Sequence, residues 1–200
     1  MIHGTALISA FTRHIVSVKK KGCKMIINDE LYGFSKVSLS QYDAAISSSP
    51  FNSDSLYVPW EALKLPKRAT AGSAGYDIYS PVSFVLHPGE TVKFPTGIKC
   101  KIPTGCFLMV VPRSGVGFRT GTRLSNTTGV IDADYTNSDN EGHIWVKLYM
   151  PRIDDEDTPS ELVINKGDAV CQGIVVPYYQ FINEEPPQQK RNGGFGSTTK

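Results

Sequence analysis

Ile98, Cys100 and Ile102 alternate with Lys99 and Lys101, and this period of two predicts a strand with one buried and one wet face. Ile144, Val146 and Leu148 repeat the pattern. Residues 106–111 are continuously apolar and read as a central strand, while residues 82–86 and 91–94 are β-rich. Turn signals separate these runs: His87-Pro88-Gly89-Glu90, Pro95-Thr96-Gly97 and Pro103-Thr104-Gly105. Asn165-Lys166-Gly167-Asp168 is another, leading into the apolar run 169–176. Short strands at such spacing predict an all-β sandwich or barrel. Residues 114–119 could form one short turn of helix, and no long-helix pattern or internal repeat interrupts the strands.

The ends differ from this middle. Residues 1–55 carry mixed signals: 25–32 could be a strand, and Ser40 with Asp43 could cap a short helix through Ile46. Ser47-Ser48-Ser49-Pro50 then looks like a linker. The segment is expected to be an N-terminal extension of uncertain order, before a core over residues 56–182. From Asn183 the chain is polar and rich in glycine, and residues 183–200 are expected to form a flexible arm.

Composition narrows the class. At 200 residues there is room for one domain with a real core. A net charge of +2 implies no polyelectrolyte field, so nucleic acid is not an expected partner. The basic cluster Lys19-Lys20-Lys21 with Lys24 reads as a solvated face. Cys23, Cys100, Cys106 and Cys171 lack C-x-x-C spacing, which argues against zinc or a disulfide framework and fits a reducing intracellular compartment, cytoplasm or nucleus. No apolar run reaches membrane-spanning length, and no signal-peptide pattern is expected at the N-terminus.

Five segments carry candidate chemistry. In Gly129-Val130-Ile131-Asp132-Ala133-Asp134-Tyr135, an apolar strand end delivers carboxylates and a phenol, a plausible place for a base and a sugar platform. Ala74-Gly75-Tyr76-Asp77 reads by itself as a tight turn before a strand. Pro112-Arg113-Ser114-Gly115 ends the central strand with a guanidinium and a hydroxyl, suited either to an anion or to an internal ion pair. Gln172 interrupts an apolar run, and a buried amide needs partners or a site to face. Lys190 and Arg191 precede Gly193-Gly194-Phe195-Gly196-Ser197-Thr198, where a lone aromatic among glycines suggests a stacking platform and the alternative is a featureless tail.

Together and in this order, the segments resemble the ordered motifs of the trimeric dUTPases, the deoxyuridine triphosphate nucleotidohydrolases, from about Leu65 to Thr198. The resemblance implies a jelly-roll-like β-barrel, a homotrimer with active sites shared between subunits, and a C-terminal arm swapped onto a neighbour. It implies hydrolysis of dUTP to dUMP and pyrophosphate with Mg²⁺, limiting uracil in DNA and supplying dUMP for dTMP synthesis. Asp132 would hold the water that strikes the α-phosphorus in line. Asp77 would touch the metal only through water. Arg113, Ser114, Gly115 and Gln172 would hold phosphates and that water. Tyr135 would pack under the deoxyribose, and the hairpin from Asn126 through Gly129, Val130 and Ile131 to Trp145 would read uracil. Lys190 or Arg191, with Phe195, Gly196 and Ser197, would close the arm over the triphosphate.

This chain departs from the family where Thr136-Asn137-Ser138-Asp139-Asn140-Glu141 lengthens the hairpin before Gly142. That insertion and the N-terminal extension are the natural surfaces for a protein partner. The alternatives to a dUTPase are a dCTP deaminase of the same fold and a binding protein that keeps the fold for a regulatory role.

Overall fold

The computed structural model describes residues 26–27, 30–153, 159–185 and 193. The chain divides into two compact units, Met1–Tyr32 and Gly33–Lys200. In the first, β1 (Ile26–Ile27) pairs antiparallel with β2 (Glu30–Leu31), so the strand expected over 25–32 is a short hairpin instead.

In the second unit every described strand pairing is antiparallel. Gly33–Lys36 forms β3, Lys67–Arg68 β4, Tyr76–Tyr79 β5, Phe84–Leu86 β6, Thr91–Pro95 β7 and Ile98–Lys101 β8. Cys106–Pro112 forms β9, Arg123–Leu124 β10, Gly129–Ile131 β11, Trp145–Tyr149 β12, Leu162–Ile164 β13 and Ala169–Pro177 β14. The largest sheet has the order β11-β9-β14-β5-β4, and a second has the order β10-β12-β7. The pairs β13-β6 and β3-β8 complete the set. The apolar run read as a central strand is β9, flanked by β11 and β14. Its Leu108 and Val110 are buried in the core, while Phe107, Met109 and Val111 on the other face are half-buried.

Two short helices serve the sheets. Helix α2 (Ser114–Thr120) continues directly from β9 and runs slightly beyond the single turn expected. It ends at Gly121, whose φ of 64° is left-handed, and a Cβ there would crowd Ile153 and Pro151. Helix α1 (Leu39–Ser47) starts two residues earlier than Ser40 capping would give, because Ser38 is the cap and accepts from the Gln41 N–H. Its Tyr42, Ala45 and Ile46 form a buried stripe at helical spacing.

That stripe changes the reading of residues 33–55. Val37, Tyr42, Ile46 and Phe51 join the same core as Phe84, Phe94, Leu108 and Leu148. Strand β3 extends β8 in register, from Gly33 opposite Lys101 to Lys36 opposite Ile98. The Tyr42 hydroxyl donates to the Val58 carbonyl at 2.8 Å, and burial raises its pKa. The compact unit thus begins at Gly33 rather than near residue 56, and of the expected linker Ser47 ends α1 while Ser48-Ser49-Pro50 is a turn leading into buried Phe51. Fully burying one large apolar side chain contributes about 1.5–3 kcal/mol, enough for a few such anchors to order a short helix.

Candidate active site

A cavity of about 520 Å³ opens between β9, β10, β11, β12 and β7. Its walls include Val110, Leu124, Asn126, Gly129, Val130, Ile131, Tyr135, Ile144, Trp145 and Val146. Register explains how they meet: Gly129, Val130 and Ile131 lie opposite Val110, Met109 and Leu108, and Trp145 lies opposite Pro95. Gly129 sits close to β9, where a Cβ would come 3.1 Å from the Val110 Cβ. Asn126 enters from a tight turn in which Thr127 takes a φ of 66° and the Thr128 N–H donates to the Asn126 carbonyl. Lys93 lies 4.8 Å from the centroid of the Trp145 ring and borders the same cavity.

Asp132 follows the lining strand directly and is exposed. It starts a 3₁₀ turn, Ala133–Asn137, by accepting the Tyr135 N–H on its carbonyl at 3.1 Å. The turn rolls the Tyr135 ring inward until it is buried against the cavity. The Tyr135 hydroxyl donates to the His143 carbonyl at 3.2 Å and accepts from Asn140 Nδ2 at 3.0 Å. The lengthened hairpin is therefore a 3₁₀ turn followed by a return at Gly142, whose φ is 74°. A Cβ at Gly142 would strike the Thr136 backbone, so glycine is required there.

Asn140 and His143 were not legible as site residues, since neither falls in a motif. His143 is fully buried, and its Nε2 accepts the Gly97 N–H at 2.8 Å. Acceptance there requires a bare Nε2, and burial lowers the His143 pKa to about 4, so the ring is neutral near pH 7. Thr96 binds the Ile144 carbonyl through both its N–H and its hydroxyl. These bonds join the cavity hairpin to the turn between β7 and β8.

The other site residues form a second group. Arg113 and Ser114 stand where β9 passes into α2, followed by Gly115. Arg113 Nε pairs with Asp77 Oδ1 at 3.1 Å, so the internal ion pair considered for it exists. Gln172 on β14 lies between Asp77 of β5 and Val111 of β9. Gly75 passes so close that a Cβ would overlap the Gln172 amide oxygen. Directly paired residues share a face, so Asp77, Gln172 and Val111 face one side of the sheet and Val110, which lines the cavity, faces the other. Lys190, Arg191, Phe195, Gly196 and Ser197 lie outside the described residues, as do Cys23 and the lysines beside it. Cys100 and Cys171 are buried, which pushes both thiols up to about 12.

The dUTPase family pattern matches residues 61–199. The chain belongs to the dUTPase family. It is 41% identical over 138 residues to the deoxyuridine 5'-triphosphate nucleotidohydrolase of Lactococcus lactis, covering 68% of this chain and 88% of that protein. It is 38% identical over 144 residues to that of Dictyoglomus turgidum, covering 68% and 90%. The solved dUTPase of Streptococcus mutans superposes with a TM-score of 0.53 at 30% identity, over 74% of this chain and 98% of that one. Membership makes the chain a hydrolase of nucleotide metabolism that acts on dUTP, and a dCTP deaminase is not favoured.

Proposed function

We propose that the cavity receives the deoxyuridine of dUTP and that the Asp77, Arg113 and Gln172 group holds the triphosphate and water, giving dUMP and pyrophosphate. The observation that carries this reading is the cavity with Tyr135 as a buried wall and Asp132 next to the lining strand. Uracil is read by backbone groups of Asn126, Gly129, Val130 and Ile131 and bounded by Trp145. Tyr135 lies under the sugar, where its hydrogen bonds leave the ring no freedom to make room for a 2′-hydroxyl. A dUTPase of Staphylococcus bacteriophage 80alpha has been solved with dUpNHpp, a nucleotide of this shape.

Asp132 orients the water for in-line attack on the α-phosphorus. A carboxylate is a weak base at neutral pH, so placing the water carries much of its effect. Arg113, Ser114, Gly115 and Gln172 bind phosphate oxygens and steady the water, and the arm residues Lys190 or Arg191, Phe195, Gly196 and Ser197 close the site. Asp77, already engaged by Arg113, suits a water-mediated contact to a metal rather than direct ligation. Among the described residues no three His, Cys, Asp or Glu side chains group as metal ligands, which fits Mg²⁺ held by phosphate and water. Bound magnesium would offset triphosphate charge.

A homotrimer with a jelly-roll-like barrel follows from the same reading. One chain turns the two site groups to opposite faces of its sheet, and Phe107, Met109, Val111, Ile174 and Val176 form a half-buried apolar row beside the phosphate group. Covering that row with a neighbour would bring one subunit's phosphate group to another's cavity. The buried thiols suit a reducing intracellular compartment. The test is pyrophosphate release from dUTP, dTTP, dCTP and UTP with Mg²⁺. Turnover of dUTP alone is expected, and equal turnover of dTTP or UTP would overturn the pocket assignment.

A further inference from the structure

Helix α1 and the turn of the cavity hairpin are tied together. Helix α1 and its cap lie outside the family match, which begins at residue 61, and residues 136–141 carry the cavity hairpin round to Gly142. Glu141 joins them. One oxygen of its carboxylate accepts the Ser38 N–H at 3.1 Å and Lys99 Nζ at 2.8 Å, and the other accepts the Ser38 hydroxyl. The Ser38 hydroxyl in turn accepts the Gln41 N–H, so one side chain caps α1 and holds the hairpin. The amide of Gln41 reaches His143 Nδ1 at 3.5 Å.

Glu141 has a φ of 59°, a left-handed conformation that a glutamate rarely adopts. The bonds on its carboxylate hold it there, and the Lys99 and Ser38 contacts lower its pKa to about 2. Its neighbour Asn140 then has little choice of direction. Asn140 Oδ1 accepts the Gly142 N–H at 3.1 Å, and Nδ2 donates to the Tyr135 hydroxyl at 3.0 Å and the His143 carbonyl at 3.4 Å. The cap of α1 is therefore linked to the phenol that walls the cavity by hydrogen bonds on Glu141 and on Asn140, joined by the peptide bond between them.

We propose that Glu141 and Asn140 are positioning residues that use the cap of α1 to set the Tyr135 phenol, and so tune selection of deoxyribose over ribose. The proposal rests on the reading of Tyr135 as the sugar-facing wall. Neither residue touches substrate in this scheme. A group displaced by about 1 Å can cost up to about a hundredfold in rate, so loosening the phenol matters without any change in the groups that meet the nucleotide.

The test measures kcat and KM for dUTP and UTP on full-length Tyr135→Ala, Asn140→Ala, Glu141→Ala and Ser38→Ala proteins, with melting temperatures alongside. Tyr135→Ala is expected to erode the dUTP-to-UTP ratio of kcat/KM the most. Asn140→Ala and Glu141→Ala should lower it by roughly tenfold, chiefly through KM for dUTP, and Ser38→Ala by less. If Glu141→Ala does not fold, Asn140→Ala and Ser38→Ala carry the same comparison. A lower melting temperature with an unchanged ratio in the Asn140 and Glu141 variants, while Tyr135→Ala lowers it, would leave only a structural role and overturn the proposal. An unchanged ratio in Tyr135→Ala would overturn the sugar-wall reading and the proposal with it.

Discussion

Tyr135 is buried in the wall of a cavity and held by bonds to His143 and Asn140, whereas Arg113 stands at a strand end, 43% exposed, with an ion pair to Asp77. The first arrangement is rigid before any ligand arrives. The second is an open polar surface on the other face of the same sheet. Under the proposed function, the difference would follow from what each part recognises. A flat base and a sugar are selected by shape, which requires fixed walls. A triphosphate is held by charge-assisted hydrogen bonds, which more exposed side chains can supply.

The strongest way to break this comparison is to disable each half separately. Asp132→Asn should lower kcat by about 10²–10⁴-fold, the usual worth of a positioned base, with the assembly intact. Arg113→Ala should also be severely impaired. Refolding the two inactive chains together should restore part of the turnover, because a site shared between subunits can draw Asp132 from one and Arg113 from the other. Absence of recovery in mixed assemblies of confirmed mass would place both halves on one chain.

Gly75→Ala is a milder perturbation of the phosphate half. The added methyl overlaps the flexible end of Gln172, which can swing away. Activity should fall by about tenfold, while the melting temperature changes little, since an overpacked rigid neighbour would cost about 1–3 kcal/mol and a mobile one less. A large drop in melting temperature without loss of activity would mean that Gln172 serves packing.

The smallest effect concerns the hairpin and acid. The folded His143 has a pKa near 4 against 6.5 for the free group, so the unfolded chain takes up a proton that the fold excludes. Stability contributed by this group is complete above about pH 6.5 and is lost as pH falls toward 4. Glu141, lowered from 4.5 to about 2, adds a second loss over that lower window. Denaturation midpoints measured from pH 7 to 3 should decline, and Glu141→Gln should flatten the decline below pH 4.5. An unchanged slope in that variant would show that its bonds contribute no proton-linked stability.

Much of the strand framework was readable because period two and Gly- or Pro-containing turns act locally. Ile98, Cys100 and Ile102 needed only their alternation, and β9 only its unbroken apolar run. The segment 33–55 was not readable in the same way. The short helix there was expected from its cap, but not that Tyr42, Ala45 and Ile46 would bury it in the core, because their partners Phe84 and Phe94 lie far along the chain. Within the site, Asp132, Tyr135 and the β11 residues stood out as a motif. Asn140 and His143 did not, because their roles depend on Tyr135 and Gly97 meeting them after the hairpin closes.

By itself the sequence determined the family, the all-β class and the residue types that carry the chemistry, since ordered motifs and strand periodicity are properties of neighbours along the chain. Tertiary structure decided where the compact unit begins, which face of the sheet each half of the site occupies, and how α1 grips the lengthened hairpin. Those outcomes rest on register and on bonds such as Ser38 to Glu141, 103 positions apart, which no local pattern encodes.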